Sequence, residues 1–406
     1  MKSKKRLNNG INVYTIQETK FNEVYATVRV IFPMEKRTNT IANILTRMMG
    51  DRLQSNPTKQ SITARHDALY GAKMSALTYS CGIYQVIDLS VRTISQRFVD
   101  DNLQQGQLDL VADMLFEPLL NEETFNEAVK NLKQSHMRVK ENTSQYAITE
   151  SFKYVGKDQV FGLSAMGELQ DIETISLDDV KAFHALCVSK FAKEIYVAGD
   201  FQNELNYTAF ESAQSEEIEI AQSFTKIANG YHEVHHQGSQ TELVLLYETD
   251  IVPGHDLYYA YLVMVAYLGQ LPSSLLFQNV REKHSLCYSI YAARHIFDGV
   301  MYISTGINDK NIDKAIQLIQ EQFTIMKTES LDIESAKQYL ILQMEGTSEH
   351  LRRIVDHEFR NNLIQHDDSV EMIQSALNDV TQEEVKEVLN HISEGFIYAY
   401  RGDDHE

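Results

Sequence analysis

Leu275-Leu276-Phe277-Gln278-Asn279-Val280-Arg281-Glu282-Lys283-His284-Ser285-Leu286-Cys287-Tyr288-Ser289 begins as an apolar helical run and ends in a Tyr-bearing strand that continues to Ala293. Pro272-Ser273-Ser274 precedes it. Arg281 and Tyr288, seven positions apart across this helix-to-strand junction, put a guanidinium fork and a phenol where both can point into one cleft. There they would hold a peptide carbonyl or an oxyanion. The plainer reading is an Arg281 surface ion pair and a Tyr288 packed at a sheet edge, and chemistry alone favours it, because isolated motifs often match by chance.

The elements around this junction occur twice. In the first half, strands over 11–17 and 24–32 read as a β-hairpin, followed by helices over 38–49 and 61–70, the second closed by Gly71. Strands over 72–79 and 84–91 flank Gly82, helices follow over 108–119, 124–140, 146–154 and 177–186, and a strand over 194–198 ends the half. The second half repeats the order. A hairpin over 231–237 and 241–249 precedes a helix over 257–268 and the arginine helix. Strands over 288–293 and 300–306, helices over 312–326, 334–347, 350–363 and 383–389, and a strand over 396–400 complete it.

Single residues coincide as well. Leu69 and Gly82 map onto Leu286 and Gly299 at one offset of 217. Ser176-Leu177-Asp178-Asp179-Val180-Lys181 matches Thr381-Gln382-Glu383-Glu384-Val385-Lys386. Ile195-Tyr196-Val197-Ala198-Gly199-Asp200 matches Ile397-Tyr398-Ala399-Tyr400-Arg401-Gly402-Asp403. The chain therefore reads as two α+β units, 1–210 and 230–406, joined by an acidic linker over 211–229. A cleft between two such shells is the expected ligand site.

With 406 residues, 43% of them hydrophobic, the chain can fill two cores. A net charge of −20, from 37 basic and 57 acidic residues, repels phosphate backbones and argues against nucleic acid as a partner. No apolar run has the length of a membrane span, and Met1-Lys2-Ser3-Lys4-Lys5-Arg6-Leu7-Asn8-Asn9-Gly10 lacks a signal peptide's apolar segment, so a cytoplasmic location with no membrane partner is expected. Cys81, Cys187 and Cys287 form no C-x-x-C pair and read as small apolar residues in a reducing compartment.

On the repeat and the junction, the chain resembles the pitrilysin/insulinase group of zinc peptidases, the inverzincins, and within it the short two-domain subunits that work in pairs. The run from Ser274 to Lys283, Leu286-Cys287-Tyr288-Ser289, and Gly299 before a strand ending in Thr305-Gly306 carry the resemblance. It implies a processing-peptidase-like metallohydrolase fold, with two homologous α/β units around a central cleft. It also implies that Arg281 and Tyr288 are the substrate-binding pair of the second half.

Active members carry H-x-x-E-H on the first helix, two His ligands with a Glu acting on the water, and a Glu ligand on a later helix. Laid on that pattern, Asn43 and Arg47 stand for the histidines and Thr46 for the base. After Phe125-Asn126-Glu127, which resembles the family's run-in, the last ligand position falls near Gln134. The resemblance thus implies no metal and no cofactor on this chain, and no catalytic residue acting alone. Zinc is expected only in a paralogous, H-x-x-E-H-bearing peptidase subunit. That subunit and a peptide substrate are the expected partners; the isolated chain is a monomer or a homodimer. The other function class that remains is a stand-alone peptide-binding or scaffold protein.

One literal H-E-x-x-H exists, in His232-Glu233-Val234-His235-His236. Its histidines reach one ion only on a helix, where four residues rise about 6 Å. Asn229-Gly230 and Gln237-Gly238-Ser239 leave no room for one, and in the hairpin strand expected here four residues span roughly 13 Å. His350 and His357 share a helical face two turns apart, and His66, His136, His184 and His391 stand alone; all read as ordinary surface or core histidines.

Overall fold

The computed structural model describes residues 2–201, 204–393 and 395–403. The first half forms β1 (Lys2–Arg6), β2 (Asn12–Gln17), β3 (Glu23–Pro33), α1 (Lys36–Met49), α2 (Lys59–Ala68), β4 (Lys73–Cys81) and β5 (Tyr84–Ile94). It continues through α3 (Leu103–Phe116), α4 (Glu122–Glu141), α5 (Thr143–Val155), α6 (Leu169–Ile172), α7 (Leu177–Ser189) and β6 (Ala192–Gly199). The second half forms β7 (Gly230–Gln237), β8 (Thr241–Glu248), α8 (Tyr258–Gly269), a π-helix (Leu276–Glu282), β9 (Cys287–His295) and β10 (Val300–Ile307). It ends with α9 (Ile312–Thr328), α10 (Glu334–Ser348), α11 (Leu351–Ile364), α12 (Val370–Asp379), α13 (Gln382–Val388) and β11 (Phe396–Asp403).

The first sheet runs β1-β2-β6-β3-β5-β4 and the second β7-β11-β8-β10-β9. Apart from the extra edge strand β1, the two orders are identical element for element. The α+β duplication read from sequence is therefore a duplication of topology. The matched Ser176 and Thr381 segments also have one physical meaning: each builds a capping box, with Asp179 and Glu384 answering the cap hydroxyl. Gly82 and Gly299 hold φ of 54° and 62° at equivalent turns.

Neither expected hairpin forms. β2 pairs in parallel with β6, and β7 in parallel with β11, so the last strand of each half inserts between the two strands expected to form the hairpin, β2 and β3 or β7 and β8. Alternation reports which side chains face the core but says nothing about which strand lies alongside. The links that arch over the inserted strand need a small residue beneath them. A Cβ on Gly199 would sit 2.4 Å from Glu23 O, and one on Gly402 would sit 2.5 Å from Gly238 O and 2.7 Å from Gln240 O. Both contacts are with backbone and cannot yield without moving the link. Gly402→Ala is expected to destabilise the second unit by about 1–3 kcal/mol, read as a lowered thermal midpoint; an unchanged midpoint contradicts the account.

The compact units do not follow the chain halves. One comprises Met1–Met137, Leu163–Ala221 and Glu349–Leu363; the other Arg138–Gly162, Gln222–Ser348 and Ile364–Glu406. Thus α11 belongs with the first sheet and α5 with the second. The acidic 211–229 stretch is no free tether either. Gln214, Ser215 and Glu216 donate their amides to Val188, Asn9 and Lys190 carbonyls, and Ala213 and Ala221 are fully buried in the first unit. From Ser223 the chain is bonded to Phe297 and Asp298 of the second. Its glutamates stay exposed.

In the first unit Val24, Ala26, Val28, Val30 and Phe32 of β3 face an apolar core shared with α1, α3 and α7. The opposite face carries Tyr25, Thr27 and Arg29 from β3, Asp88 from β5 and Glu194 and Tyr196 from β6, all buried. Phe359 of α11 lies over it, its ring 4.4 Å from the Arg29 guanidinium and edge-on to Tyr196 at 6.1 Å. In the second unit the equivalent face is aromatic instead: Phe152 and Tyr146 of α5 pack on Tyr302 and Tyr400 at 5.2 Å each.

Burial holds the Glu194 carboxyl above the usual carboxylate range, with Tyr196 and Tyr14 hydroxyls donating to it. The folded state then retains a proton that the unfolded state releases near 4.5. Stability from this group is full below that value and is lost as pH rises through the raised folded value, by at most ~1.4 kcal/mol per pH unit. Glu194→Gln is expected to flatten this decline and to raise the urea midpoint at neutral pH. A lower midpoint there contradicts the sign.

Among the described residues no helix is long and apolar enough to cross a membrane.

Candidate functional site

The second unit builds a groove of about 570 Å³ around the Arg281–Tyr288 junction. Leu276 and Val280 are fully buried and anchor the π-helix in the core. Its wide turn is closed by the Lys283 amide donating to Gln278 O at 3.0 Å, a five-residue step. Asn279 Nδ2 donates to Gln322 Oε1 at 2.6 Å, and Gln322 Nε2 to Leu318 O at 2.8 Å, so a polar latch fixes the π-helix to α9. With 276 and 280 inward, Phe277 and Arg281 share the outer face, and the guanidinium stacks 4.3 Å over the Phe277 ring.

Ser285 then takes a left-handed φ of 52°, its amide bonded to Arg281 O at 2.9 Å, and turns the chain into β9. Tyr288 emerges 93% exposed. No described residue hydrogen-bonds its hydroxyl. Arg281 is also held lightly. Its Nε lies 3.7 Å from Glu282 Oε1, too long for a hydrogen bond, and its side chain is 36% exposed.

Both residues line the groove, with Gln240, Ser285, Asn308 and Asn311 adding polar groups. The arrangement offers an unspent phenol and a guanidinium fork to an oxygen-rich ligand such as a peptide backbone. Gln240, Asn308 and Asn311 carried no signal in the sequence, because they come from the β7–β8 link and the turn after β10. Only the pairing of β10 with both β8 and β9 brings them to one place. Cys287 also lines the groove, but burial pushes its thiol up, away from a nucleophilic thiolate. Cys81 and Cys187 are buried.

In the first unit, the three α1 positions laid on the zinc motif are occupied by side chains already hydrogen-bonded within the unit. Asn43, 4% exposed, donates to Asn39 O at 2.9 Å and Ala165 O at 2.7 Å, and its Oδ1 accepts from Thr78 Oγ1 at 2.9 Å. Thr46 Oγ1 is turned back to Ala42 O at 2.7 Å. Arg47 Nη1 donates to Asn43 O at 2.8 Å and Nη2 to Ser135 Oγ at 3.3 Å. Burial alone holds the Arg47 guanidinium below the usual arginine range, and no carboxylate among the described residues pairs with it.

On α4, Ser135 is the residue that meets Arg47, while Gln134 is exposed. Glu127 is taken by Arg52 Nη2 at 3.0 Å. An amide, a hydroxyl and a cation do not make a zinc donor set, and the residues here do not fit the ion.

The literal H-E-x-x-H lies on β7, the exposed edge of the second sheet. His232 stacks on Tyr154 at 4.0 Å and His236 on Tyr400 at 4.1 Å, each on its own aromatic platform.

Residues 174–340 match the family described as Peptidase M16 inactive domain. The chain is 25% identical to the Bacillus subtilis (strain 168) protein named Probable inactive metalloprotease YmfF, over 412 aligned residues that cover 97% of this chain and 96% of that one. A conserved protein from Enterococcus faecalis V583 superposes with a TM-score of 0.92 at 23% identity, covering 100% and 99% of the two chains. A peptidase M16 inactive domain from Pseudomonas fluorescens does so with a TM-score of 0.82 at 17% identity, covering 99% and 98%. At those identities the two structures speak to the fold.

Proposed function

We propose that this chain is an inactive homologue of the M16 peptidases and serves as the non-catalytic subunit of a heterodimeric, cytoplasmic zinc metallopeptidase, a reading supported by the match of residues 174–340 and by the full-length similarity to a probable inactive metalloprotease. Its partner carries H-x-x-E-H and the catalytic zinc. This chain contributes Arg281 and Tyr288, which hold the substrate backbone and polarise the scissile carbonyl of a peptide engaged by both subunits. One observation carries the reading. The second unit keeps a groove whose guanidinium and phenol have no hydrogen-bond partner among the described residues, while the zinc-helix positions of the first unit are spent on hydrogen bonds within that unit. A surface kept open on one repeat and closed on the other suits a subunit that binds substrate and leaves the chemistry to a partner. The dispersed cysteines, which form no disulfide among the described residues, suit a reducing compartment.

The test is a tagged pull-down from native cytoplasm with mass spectrometry, followed by co-expression of whatever co-purifies. A chain of similar length bearing H-x-x-E-H, recovered in equal amount and active on unfolded peptides only when paired, is the expected result. If no such chain is recovered, the subunit assignment fails. Peptide binding by the isolated chain would then point to a stand-alone binding or scaffold protein.

A further inference from the structure

We propose that Asp250, His255 and His391 form a site for one divalent transition-metal ion, zinc by ligand type, that clips three segments of the second unit together. The ligand atoms of the three side chains all lie within 4.8 Å of one another. His391 Nδ1 is 2.8 Å from Asp250 Oδ1, and the His255 ring stands edge-on to His391 with centroids 5.4 Å apart. That N···O separation is within the spacing of two donors held by one ion at bond lengths of about 2 Å, so an ion replacing the proton between His391 Nδ1 and Asp250 Oδ1 can be bound by both atoms. Two imidazoles and a carboxylate select zinc over magnesium or calcium, which prefer oxygen ligands.

The three side chains come from separate places: the end of β8, the turn before α8 and the 3-10 turn Leu389–His391 before β11. Their backbones are fixed independently of any ion. Ile251, Val252 and Leu389 are buried, Thr249 bridges Ile392, and the Ser393 amide bonds Glu248 O at 3.0 Å. The His255 amide bonds Val252 O at 3.0 Å, and the Tyr258 amide bonds His255 O at 2.9 Å. The ligands thus project from a rigid frame, which lowers the ordering cost of binding. One bond opposes loading. His255 Nδ1 accepts the Leu257 amide at 3.1 Å, and His255 must release it to present a lone pair to the ion. Leu257 lies in a partly solvated turn, so water can take over that amide.

The full chain, stripped with chelator and dialysed, is titrated with zinc chloride by calorimetry and with cobalt(II) by visible absorption. One saturable equivalent is expected, with magnesium giving none. His255→Ala and His391→Ala should each weaken binding by roughly tenfold or more. Asp250→Asn, a change at a 64% exposed side chain, should weaken it without disturbing the fold. The His232→Gln/His236→Gln double variant should bind as the wild type does, and metal-free melting curves of all variants should coincide. The proposal is overturned if the wild type shows no saturable zinc binding. It is equally overturned if binding survives the His255→Ala/His391→Ala double variant, or is abolished only by the edge-strand variant.

Discussion

If the proposed heterodimer forms, Arg281→Ala is expected to lower its kcat by roughly 10²–10³-fold, with the zinc content of the complex unchanged. That range is what removal of one preorganised donor to a developing oxyanion costs, about 2.7–4 kcal/mol of transition-state stabilisation. The loss should fall on kcat more than on KM, because an interaction that strengthens as charge develops is missing only in the transition state. Arg281→Lys keeps the charge but loses the planar fork, and should recover little. Folding should be untouched: the side chain contributes a stack on Phe277 and a loose approach to Glu282, both at the surface. Tyr288→Phe, which deletes only an exposed hydroxyl, should reduce turnover by a smaller factor with no change in thermal midpoint. Wild-type turnover in the Arg281→Ala complex would remove the catalytic role and leave the chain a scaffold.

Arg29→Ala is expected to cost the first unit about 3–5 kcal/mol, the usual penalty for stranding one partner of a buried ion pair. Arg29 is wholly buried on β3, bonded through Nη2 to Asp356 of α11 and 3.3 Å from Asp88 Oδ2 on β5. Burial works against its charge, and Asp88, Tyr79, Asp356 and Tyr25 together more than offset it, so the guanidinium stays above its ordinary range. Without Arg29, Asp88 keeps only Thr27 Oγ1, at 2.5 Å, among the described residues, and Phe359 loses the cation beneath its ring. Converting both partners, in Arg29→Met/Asp88→Leu, should restore much of the loss, since an apolar pair of similar volume strands no charge. Urea unfolding followed by far-UV circular dichroism measures both variants. A single-variant loss below about 1 kcal/mol would show that water, not Asp88 and Asp356, carries the compensation.

The Arg281–Tyr288 junction was legible because one continuous eight-residue segment supplies both groups, and local turn chemistry at Ser285 decides their direction. Along α4, a shift of one residue changes what a side chain meets. A helix turns 100° per residue, so the step from Gln134 to Ser135 separates an exposed side chain from the one that meets Arg47. His391 read as a lone histidine because Asp250 and His255 are far from it in sequence, and only the Thr249–Ile392 bridge brings them together.

By itself the sequence determined the two-fold repeat, the order of strands and helices within each copy apart from β1, α6 and α12, and the absence of H-x-x-E-H from the first helix. These are local properties: hydrophobic period, capping boxes and turn glycines are set by residues close along the chain. Which strand lies beside which, and which helix covers which sheet, were decided only by the tertiary structure. β3 alternates polar with apolar, as a strand with one wet face would, yet its Arg29 face is dry under α11, a helix from the opposite end of the chain. The same alternation serves a face turned to water and a face turned to buried, paired charge. Their difference is the free energy of desolvation against that of pairing, and it depends on partners more than 300 positions away.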